Sequence, residues 1–284
     1  MAAADAAADT LDSGIPKKNE EWTVVLPRRG KQRRSLLELK ATELHQGECA
    51  SADADINPER EAKLFQKMKT CMETVKSSQF CTAFLDQIQS KLIDSFFRVL
   101  GSESNMEMII YGIGSIEAYE NPRVQLSLAL LMKEKFDWIG DVEVFDPVLS
   151  ATETRVIKSF GLTVITLNEE GKRQALKPTL FFMPHCDLSL YNNLVLANWS
   201  PQMLNRVALF GNSFKAYEEL AFVFKSQKTY LNGRHVLAAQ KYIDEYEVKT
   251  VTEDYFRPFT GSSWHFFKCG SEEELPHPEA GTLN

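Results

Sequence analysis

The sequence predicts an α/β protein with an open, mostly parallel sheet and flanking helices. Residues 108–116 form an apolar strand that runs directly into a turn with two glycines. Strands buried on both faces have such continuous apolar runs. Strand and helix patterns then alternate four times, which is typical of a parallel sheet with helices on both faces. Of the 284 residues 44% are hydrophobic, which is enough for one medium-sized core with appended segments.

The alternating patterns place the individual elements of this sheet. We expect strands at 107–111, 142–145, 162–166, 179–183 and 207–210, and helices at about 122–136, 151–160, 187–198 and 213–225. Right-handed crossovers between them give a Rossmann-like fold. Asn121 is expected to be the N-cap of the first helix, because Pro122 is tolerated in a first turn but not deeper. Residues 263–267 form a last strand, with an edge position as one option.

Two amphipathic helices are expected ahead of the sheet. The first begins at Asn57 and Pro58, where Asn is a favoured N-cap and Pro a favoured first helical residue. The second carries apolar residues from Phe80 onward and ends at Gly101. Their apolar residues recur at spacings of three and four, so one face of each helix should pack on the sheet.

Composition divides the chain into four parts. Residues 1–56 are a mostly disordered N-terminal region that contains a basic motif at 22–34, and residues 57–101 are the helical pair. Residues 102–270 form the α/β domain, and residues 271–284 form a flexible acidic tail.

The net charge of −7 makes the chain a poor general nucleic-acid binder, since affinity for the phosphate backbone needs many cations. A local basic cluster contrasts with it and contains Arg28, Arg29, Lys31, Arg33 and Arg34. This cluster is either a solvated loop or a patch for nuclear import or an acidic partner.

The apolar runs are shorter than the ~20 residues of a membrane span, and no secretory signal begins the chain. Five scattered cysteines without a CxxC pair fit a reducing compartment. We expect a cytosolic or nuclear protein.

Polar residues follow several predicted strands. Because the carboxyl ends of parallel strands meet at one edge, we expect a single ligand pocket there. Its candidate residues are Gly112, Gly114, Ser115, Asp146, His185, Asp187 and Asn212.

Five of these residues also have a structural interpretation. The glycines allow a sharp exit from the strand, Asp146 precedes a proline and suits a turn, Asp187 suits an N-cap, and Asn212 can close a turn. The glycine turn lacks the third glycine of a dinucleotide fingerprint, and the next helix starts too far away to cradle a phosphate. A dinucleotide site of the usual form is therefore disfavoured.

No strong catalytic signature occurs in the chain. The GxxxxGK[ST], HExxH, GxSxG and CxxC patterns are absent from the sequence. His185 and Cys186 could supply a base and a nucleophile, but adjacent residues on an extended backbone point to opposite sides. We therefore assign no catalytic residue, no metal ligands and no particular cofactor. This favours a protein that is not an enzyme.

Several ordered motifs resemble one family. Residues 21–30, 111–115 with 125–131, 145–147 and 183–187 resemble the "sensitivity to red light reduced" family, especially its plant members, over roughly residues 22–267. The resemblance implies a regulator linked to phytochrome red-light signalling, the circadian clock and flowering time, in cytoplasm and nucleus. Relatives outside plants imply a link to haem and other tetrapyrroles. The family contributes no catalytic residues.

Two functions follow from this reading. One is a non-enzymatic regulator whose partners are signalling proteins and which can also take a small-molecule ligand. The other is a Rossmann-like enzyme or sensor for a nucleoside-type ligand, similar to a methyltransferase.

Overall fold

A computed structural model describes residues 57–249, 256–270 and 274–278 of the chain. The predicted N-terminal region 1–56, with its basic cluster, lies outside the described residues, as does most of the predicted tail 271–284. Within the described residues, no helix is both long and apolar enough to cross a bilayer.

The centre of the fold is a seven-stranded sheet. Its strands are β1 (Met106–Tyr111), β2 (Ile139–Phe145), β3 (Thr163–Val164), β4 (Thr179–Met183), β5 (Val207–Asn212), β6 (Ile243–Glu247) and β7 (Ser262–Phe267). The spatial order is β3-β2-β1-β4-β5-β7-β6. The first five strands pair in parallel, and β7 is antiparallel to both β5 and β6. The predicted open, mostly parallel sheet is confirmed, with its strand order reversing between β1 and β4.

The last two strands correct the sequence prediction. β7 lies between β5 and β6, so the option of an edge position for 263–267 is wrong, and all six of its residues are buried. The edge is β6, which we did not predict. Its sequence Ile-Asp-Glu-Tyr-Glu has three acidic residues and no apolar run. An edge strand needs fewer apolar residues than a central one, which explains why the sequence pattern did not predict β6.

The predicted helices are present, with some subdivision, and within the described residues the structure adds four short helices that were not predicted. The bounds of the helices are α1 (Pro58–Lys76), α2 (Gln79–Gln87), α3 (Ile93–Leu100), α4 (Glu120–Lys135), α5 (Ala151–Ser159), α6 (Leu188–Ala197), α7 (Pro201–Leu204), α8 (Phe214–Glu218), α9 (Gln227–Asn232), α10 (Arg234–Ala239) and α11 (Phe256–Phe259). The added helices are α7, α9, α10 and α11. One π-helical turn (Ile88–Leu92) joins α2 to α3 and a second (Glu219–Val223) follows α8. The second predicted helix is therefore one continuous helical segment with a π-helical turn inside it.

The helix caps test the local predictions directly. The Asn57 side chain accepts the Arg60 N–H at 3.0 Å, and Asp187 is the N-cap of α6, although its carboxylate makes no capping hydrogen bond. The prediction of Asn121 as an N-cap is wrong, because α4 begins at Glu120. Pro122 is then the third helical residue. Its missing N–H lies among the first four of the helix, which have no partner within the helix anyway.

Two apolar layers cover the sheet. Alternate residues of β4 belong to different layers, with Leu180 and Phe182 on one face and Phe181 and Met183 on the other. This is the period-two alternation of a strand that is buried on both sides. The first layer contains α1 to α4, so the helical pair packs on the sheet as predicted. The second layer contains α6, α8 and α10 and supports the loops at the carboxyl ends of β4 and β5.

Candidate ligand site at the carboxyl ends of the strands

A cavity of about 600 Å³ opens at the carboxyl ends of β4 and β5. The loop after β4, the start of α6, the end of β5, and helices α8 and α9 form its walls. The lining residues are His185, Cys186, Asp187, Leu188, Ser189, Asn212, Tyr217, Lys228, Thr229 and Asn232. Ligand pockets commonly have a few polar groups on an apolar lining. This cavity is more polar than that, so it suits a polar ligand.

Asn212 holds the cavity wall together through its side-chain amide. Its Nδ2 donates to the carbonyl of Cys186 at 3.1 Å and to the hydroxyl of Tyr217 at 2.8 Å, and its Oδ1 accepts the His185 N–H at 3.0 Å. Its backbone N–H donates to the Tyr191 hydroxyl at 3.0 Å, and that hydroxyl donates to the carbonyl of Met183. The amide of Asn212 thus ties the loop after β4 to the end of β5.

His185 and Cys186 face different environments. His185 has a positive φ of 58° and an exposed side chain, whereas the Cys186 side chain is buried. The Cys186 thiol donates to the carbonyl of Tyr111 at 3.3 Å. Burial, with smaller contributions from Asp146 and Asp187, raises the pKa of the thiol to about 12. The thiol is therefore protonated near neutral pH and is a poor nucleophile, since the thiolate is the reactive form.

The glycine turn after β1 lies behind this loop. Gly112 and Gly114 have φ angles of 67° and 77°, in the left-handed region that favours glycine. A Cβ atom at Gly112 would lie 2.4 Å from the Sγ of Cys186. The N–H of Gly114 donates to Oδ2 of Asp146 at 2.7 Å. The turn makes close contacts within the protein at the positions where a dinucleotide phosphate would have to approach.

Asp146 and Ser115 have partners in the same turn region. The second oxygen of Asp146 accepts the Val148 N–H at 3.0 Å, so both its carboxylate oxygens accept backbone N–H groups. The Ser115 hydroxyl donates to Glu153 at 2.6 Å and accepts the Ala118 N–H at 3.0 Å. Asp146 had two interpretations, as a ligand-binding residue and as a turn residue, and these contacts favour the turn.

Glu153 organises this region and was missed by the sequence analysis. The residue is 2% exposed, and its carboxylate accepts three hydrogen bonds, from the Ser115 hydroxyl at 2.6 Å and from the N–H groups of Glu117 at 3.0 Å and Ser150 at 2.7 Å. Ser150 and Glu153 also form a capping box at the start of α5. The spacing Ser-x-x-Glu before a helical pattern is the signature of that motif and could have identified both residues.

A second unpredicted cluster lies at the end of β1. The Tyr111 hydroxyl donates to Glu169, and Arg173 donates to the Glu169 carboxylate at 3.0 Å and to Glu143 at 2.8 Å. Burial and the neighbouring Glu169 charge raise the pKa of Tyr111. Glu169 and Arg173 lie between β3 and β4, outside any regular element, so periodicity carried no signal for them.

The structure divides the seven candidate residues between two neighbouring places. His185, Asp187 and Asn212 line the cavity. Gly114, Ser115 and Asp146 belong to the hydrogen-bonded turns after β1 and β2, and Gly112 packs behind Cys186. The expected single pocket of seven residues is thus replaced by one cavity and an adjoining, internally bonded turn. Whether a ligand occupies the cavity stays a prediction.

The strand order, the two helical layers and the glycine turn define an open α/β protein of the Rossmann-like class. The SRR1 domain matches residues 63–266. The chain is 49% identical over 260 residues to the Arabidopsis thaliana protein SENSITIVITY TO RED LIGHT REDUCED 1, covering 90% of this chain and 94% of that protein. It is 33% identical over 242 residues to a mouse SRR1-like protein, covering 74% and 92%. The chain therefore belongs to the SRR1 domain family, as its motifs predicted.

Solved structures add only a distant likeness. The 23S rRNA methyltransferase ErmE aligns with a TM-score of 0.34 and 12% identity, covering 66% of this chain and 70% of that one. The plantazolicin methyltransferase BpumL, solved with SAH, aligns with a TM-score of 0.32 and 10% identity, covering 75% and 97%. Likeness at this level says nothing about activity, since one fold supports many functions.

Proposed function

We propose that this chain is a regulator of red-light signalling. The observation that carries the proposal is its 49% identity over almost the whole length of the Arabidopsis protein named for reduced sensitivity to red light. The finer parts of the proposal rest on the same family membership. They are an input to the circadian clock and flowering time, action in cytoplasm and nucleus through signalling partners, and a link to tetrapyrrole metabolism.

The cavity at the ends of β4 and β5 is the proposed control site. Three of its side chains, His185, Asp187 and Lys228, are exposed, and within the described residues none of the three side chains has a hydrogen-bond or ion-pair partner. Polar groups that the fold leaves unpaired around a cavity at the ends of strands are available to a ligand. Binding there would act on the loop after β4, which Asn212 holds against β5.

The alternative is an enzyme or sensor for a nucleoside-type ligand at the glycine turn. The contacts of that turn argue against it, because Asp146 already accepts the Gly114 N–H and Cys186 lies against Gly112. The raised pKa of Cys186 also argues against covalent catalysis. A ligand in the polar cavity with a regulatory output fits both observations better.

Complementation tests the function and the site separately. An Arabidopsis line that lacks its own relative would receive this chain, and hypocotyl length would be measured under red light. We expect wild type to restore the response and the double variant His185→Asn/Asp187→Asn to fail. Asn tolerates the left-handed backbone at position 185 and caps helices as well as Asp, so both substitutions preserve the local conformation.

The matched control is Lys225→Asn, an exposed residue with a φ of 50° that does not line the cavity. It should complement like wild type. Failure of the wild-type chain would refute the red-light function. Full complementation by the double variant would leave the red-light function standing and refute the cavity as its control site.

A thermal-shift screen identifies the ligand class. Purified protein would be heated with nucleotides, S-adenosylmethionine, haem and porphyrins in separate samples. A ligand at one hundred times its Kd stabilises the folded state by about 2.7 kcal/mol, which raises Tm by roughly 5–10 °C for a domain of this size. The shift should be lost in His185→Asn/Asp187→Asn and kept in Lys225→Asn.

A further inference from the structure

A second, larger cavity of about 880 Å³ lies between α1 and α4, in the helical layer on the other side of the sheet from α6. It has no part in the site at the carboxyl ends of the strands. Its lining consists of Lys63, Gln66, Lys67, Thr70, Cys71, Thr74 and Val75 from α1, Glu120, Asn121, Arg123 and Val124 from α4, and Arg257 and Pro258 from α11. We call it the α1–α4 groove.

The wall that α1 contributes is a row of polar side chains. Lys63, Lys67, Thr70 and Thr74 follow one another at spacings of three or four, which places them on one face of the helix. At a rise of 1.5 Å per residue this row is about 17 Å long. A ligand lying along it would meet the two ammonium groups and the Thr70 hydroxyl, whereas the Thr74 hydroxyl already donates to the carbonyl of Thr70 at 2.9 Å.

The groove is cationic in an acidic protein. It has four cations, Lys63, Lys67, Arg123 and Arg257, and a single carboxylate, Glu120, whereas the whole chain has a net charge of −7. Within the described part of the chain, none of the four cations lies within 4.0 Å of a carboxylate oxygen. By contrast, the Arg60 guanidinium on the same helix lies 2.7 Å from the Glu117 carboxylate. Unpaired cations gathered in one concave surface attract an anion.

Arg123 is held in position before any ligand arrives. Its Nη1 donates to the carbonyls of Ile116 at 2.8 Å and Glu117 at 3.2 Å. Its other N–H groups have no hydrogen-bond partner among the described residues. A guanidinium that the backbone already orients loses less side-chain entropy when it binds an oxyanion.

The floor of the groove is apolar. Val75, Val124 and Pro258 are buried, and the amide of Gln125 donates to the carbonyl of Pro258 at 2.8 Å, which fixes α11 against α4. An inorganic ion would use only the cationic rim. We propose that the α1–α4 groove binds an organic phosphate, with the phosphate on Arg123, Lys63 and Lys67 and the apolar part of the ligand on this floor. A phosphate has the charge and the acceptor oxygens to engage several donors at once.

Phenyl phosphate is a suitable probe, with inorganic phosphate and phenol as its two halves. Binding to the full chain would be measured by calorimetry at constant ionic strength, because screening alone changes the apparent affinity. We expect saturable binding of phenyl phosphate that is tighter than that of either half. The double variant Lys63→Gln/Lys67→Gln should weaken it by at least tenfold, as expected for the loss of charge-assisted hydrogen bonds.

Lys91→Gln is the matched control, since Lys91 is an exposed helical lysine that lines neither cavity. It should bind like wild type, and all variants should keep the wild-type Tm. Equal loss in Lys91→Gln and the double variant would overturn the proposal, as would equal affinity for inorganic and phenyl phosphate. A hexaglutamate peptide that binds more tightly than phenyl phosphate would replace the proposal with a docking surface for an acidic protein.

Discussion

The contact between Gly112 and Cys186 yields the sharpest stability prediction. In Gly112→Ala the new Cβ would lie 2.4 Å from the Cys186 Sγ, far inside van der Waals contact. The thiol is confined, because it is buried and donates to the carbonyl of Tyr111. The backbone carbonyl of Cys186 is held by Asn212. The structure therefore has little room to relax around the added methyl group.

The expected loss combines two effects. Placing a side chain at a φ of 67° costs about 1–2 kcal/mol, and overpacking a filled site costs about 1–3 kcal/mol more. Gly112→Ala should therefore lose about 2–5 kcal/mol of unfolding free energy. Gly114→Ala is the matched control. Its φ is 77°, but its nearest contact is an ordinary 3.4 Å from Pro122, so only the backbone cost of about 1–2 kcal/mol applies.

Urea denaturation of a double-mutant cycle separates these effects. Gly112→Ala, Cys186→Ala and the double variant would be compared with wild type by circular dichroism. Removing the sulfur should relieve the overlap, so the double variant should be more stable than the sum of the single losses by about 1–3 kcal/mol. Additive losses, or equal losses in Gly112→Ala and Gly114→Ala, would show that the sulfur does not limit this turn.

Three further predictions test other buried groups. Glu153→Gln should lose about 1.5–3 kcal/mol of stability in urea denaturation, because its carboxylate accepts three hydrogen bonds and an amide cannot accept all three in the same arrangement. Cys186 should resist alkylation by iodoacetamide at pH 8 in the folded protein, as detected by mass spectrometry, because the pKa of its thiol is about 12. Cys186→Ser should complement like wild type, because the proposed function requires no thiolate. Burial lowers the pKa of His265 from 6.5, against the opposing effect of Glu245, so the unfolded chain binds a proton that the folded protein excludes. Stability should therefore fall as the pH decreases below 6.5, and His265→Gln should show a smaller loss between pH 7 and pH 5; an equal loss would exclude this histidine as the cause.

The strands that were predicted correctly are those that the fold buries, because a buried strand needs a mostly apolar sequence. β4 is buried along its whole length, and β1 is buried except at Glu107, because the two helical layers cover both faces of the sheet. The predicted strands there agree with the structure within one residue. β6 lies at the edge and is only half-buried, so its three acidic residues gave no strand signal. The π-helical turn between α2 and α3 was also missed, because the apolar spacing of three and four continues through it.

For the candidate site, the location of the residues could be predicted from the sequence, but the role of each residue could not. The rule that ligands bind at strand carboxyl ends placed all seven candidate residues at one edge of the sheet. It could not decide which of them face a cavity, because that depends on hydrogen bonds between distant positions. Asp146 accepts the N–H of Gly114, 32 residues earlier in the chain, and Asn212 binds His185, 27 residues earlier.

These long-range bonds also identify the residues that a ligand could use. A side-chain amide or carboxylate whose two polar atoms already have hydrogen-bond partners would have to break hydrogen bonds within the protein before it bound a ligand. Each such hydrogen bond is worth about 0.5–3 kcal/mol. Asp146 and Asn212 are in that position, whereas His185, Asp187 and Lys228 are not. Variants of the first two would therefore lose stability and function together. Variants of the other three can separate ligand binding from folding, which makes them the informative test of this site.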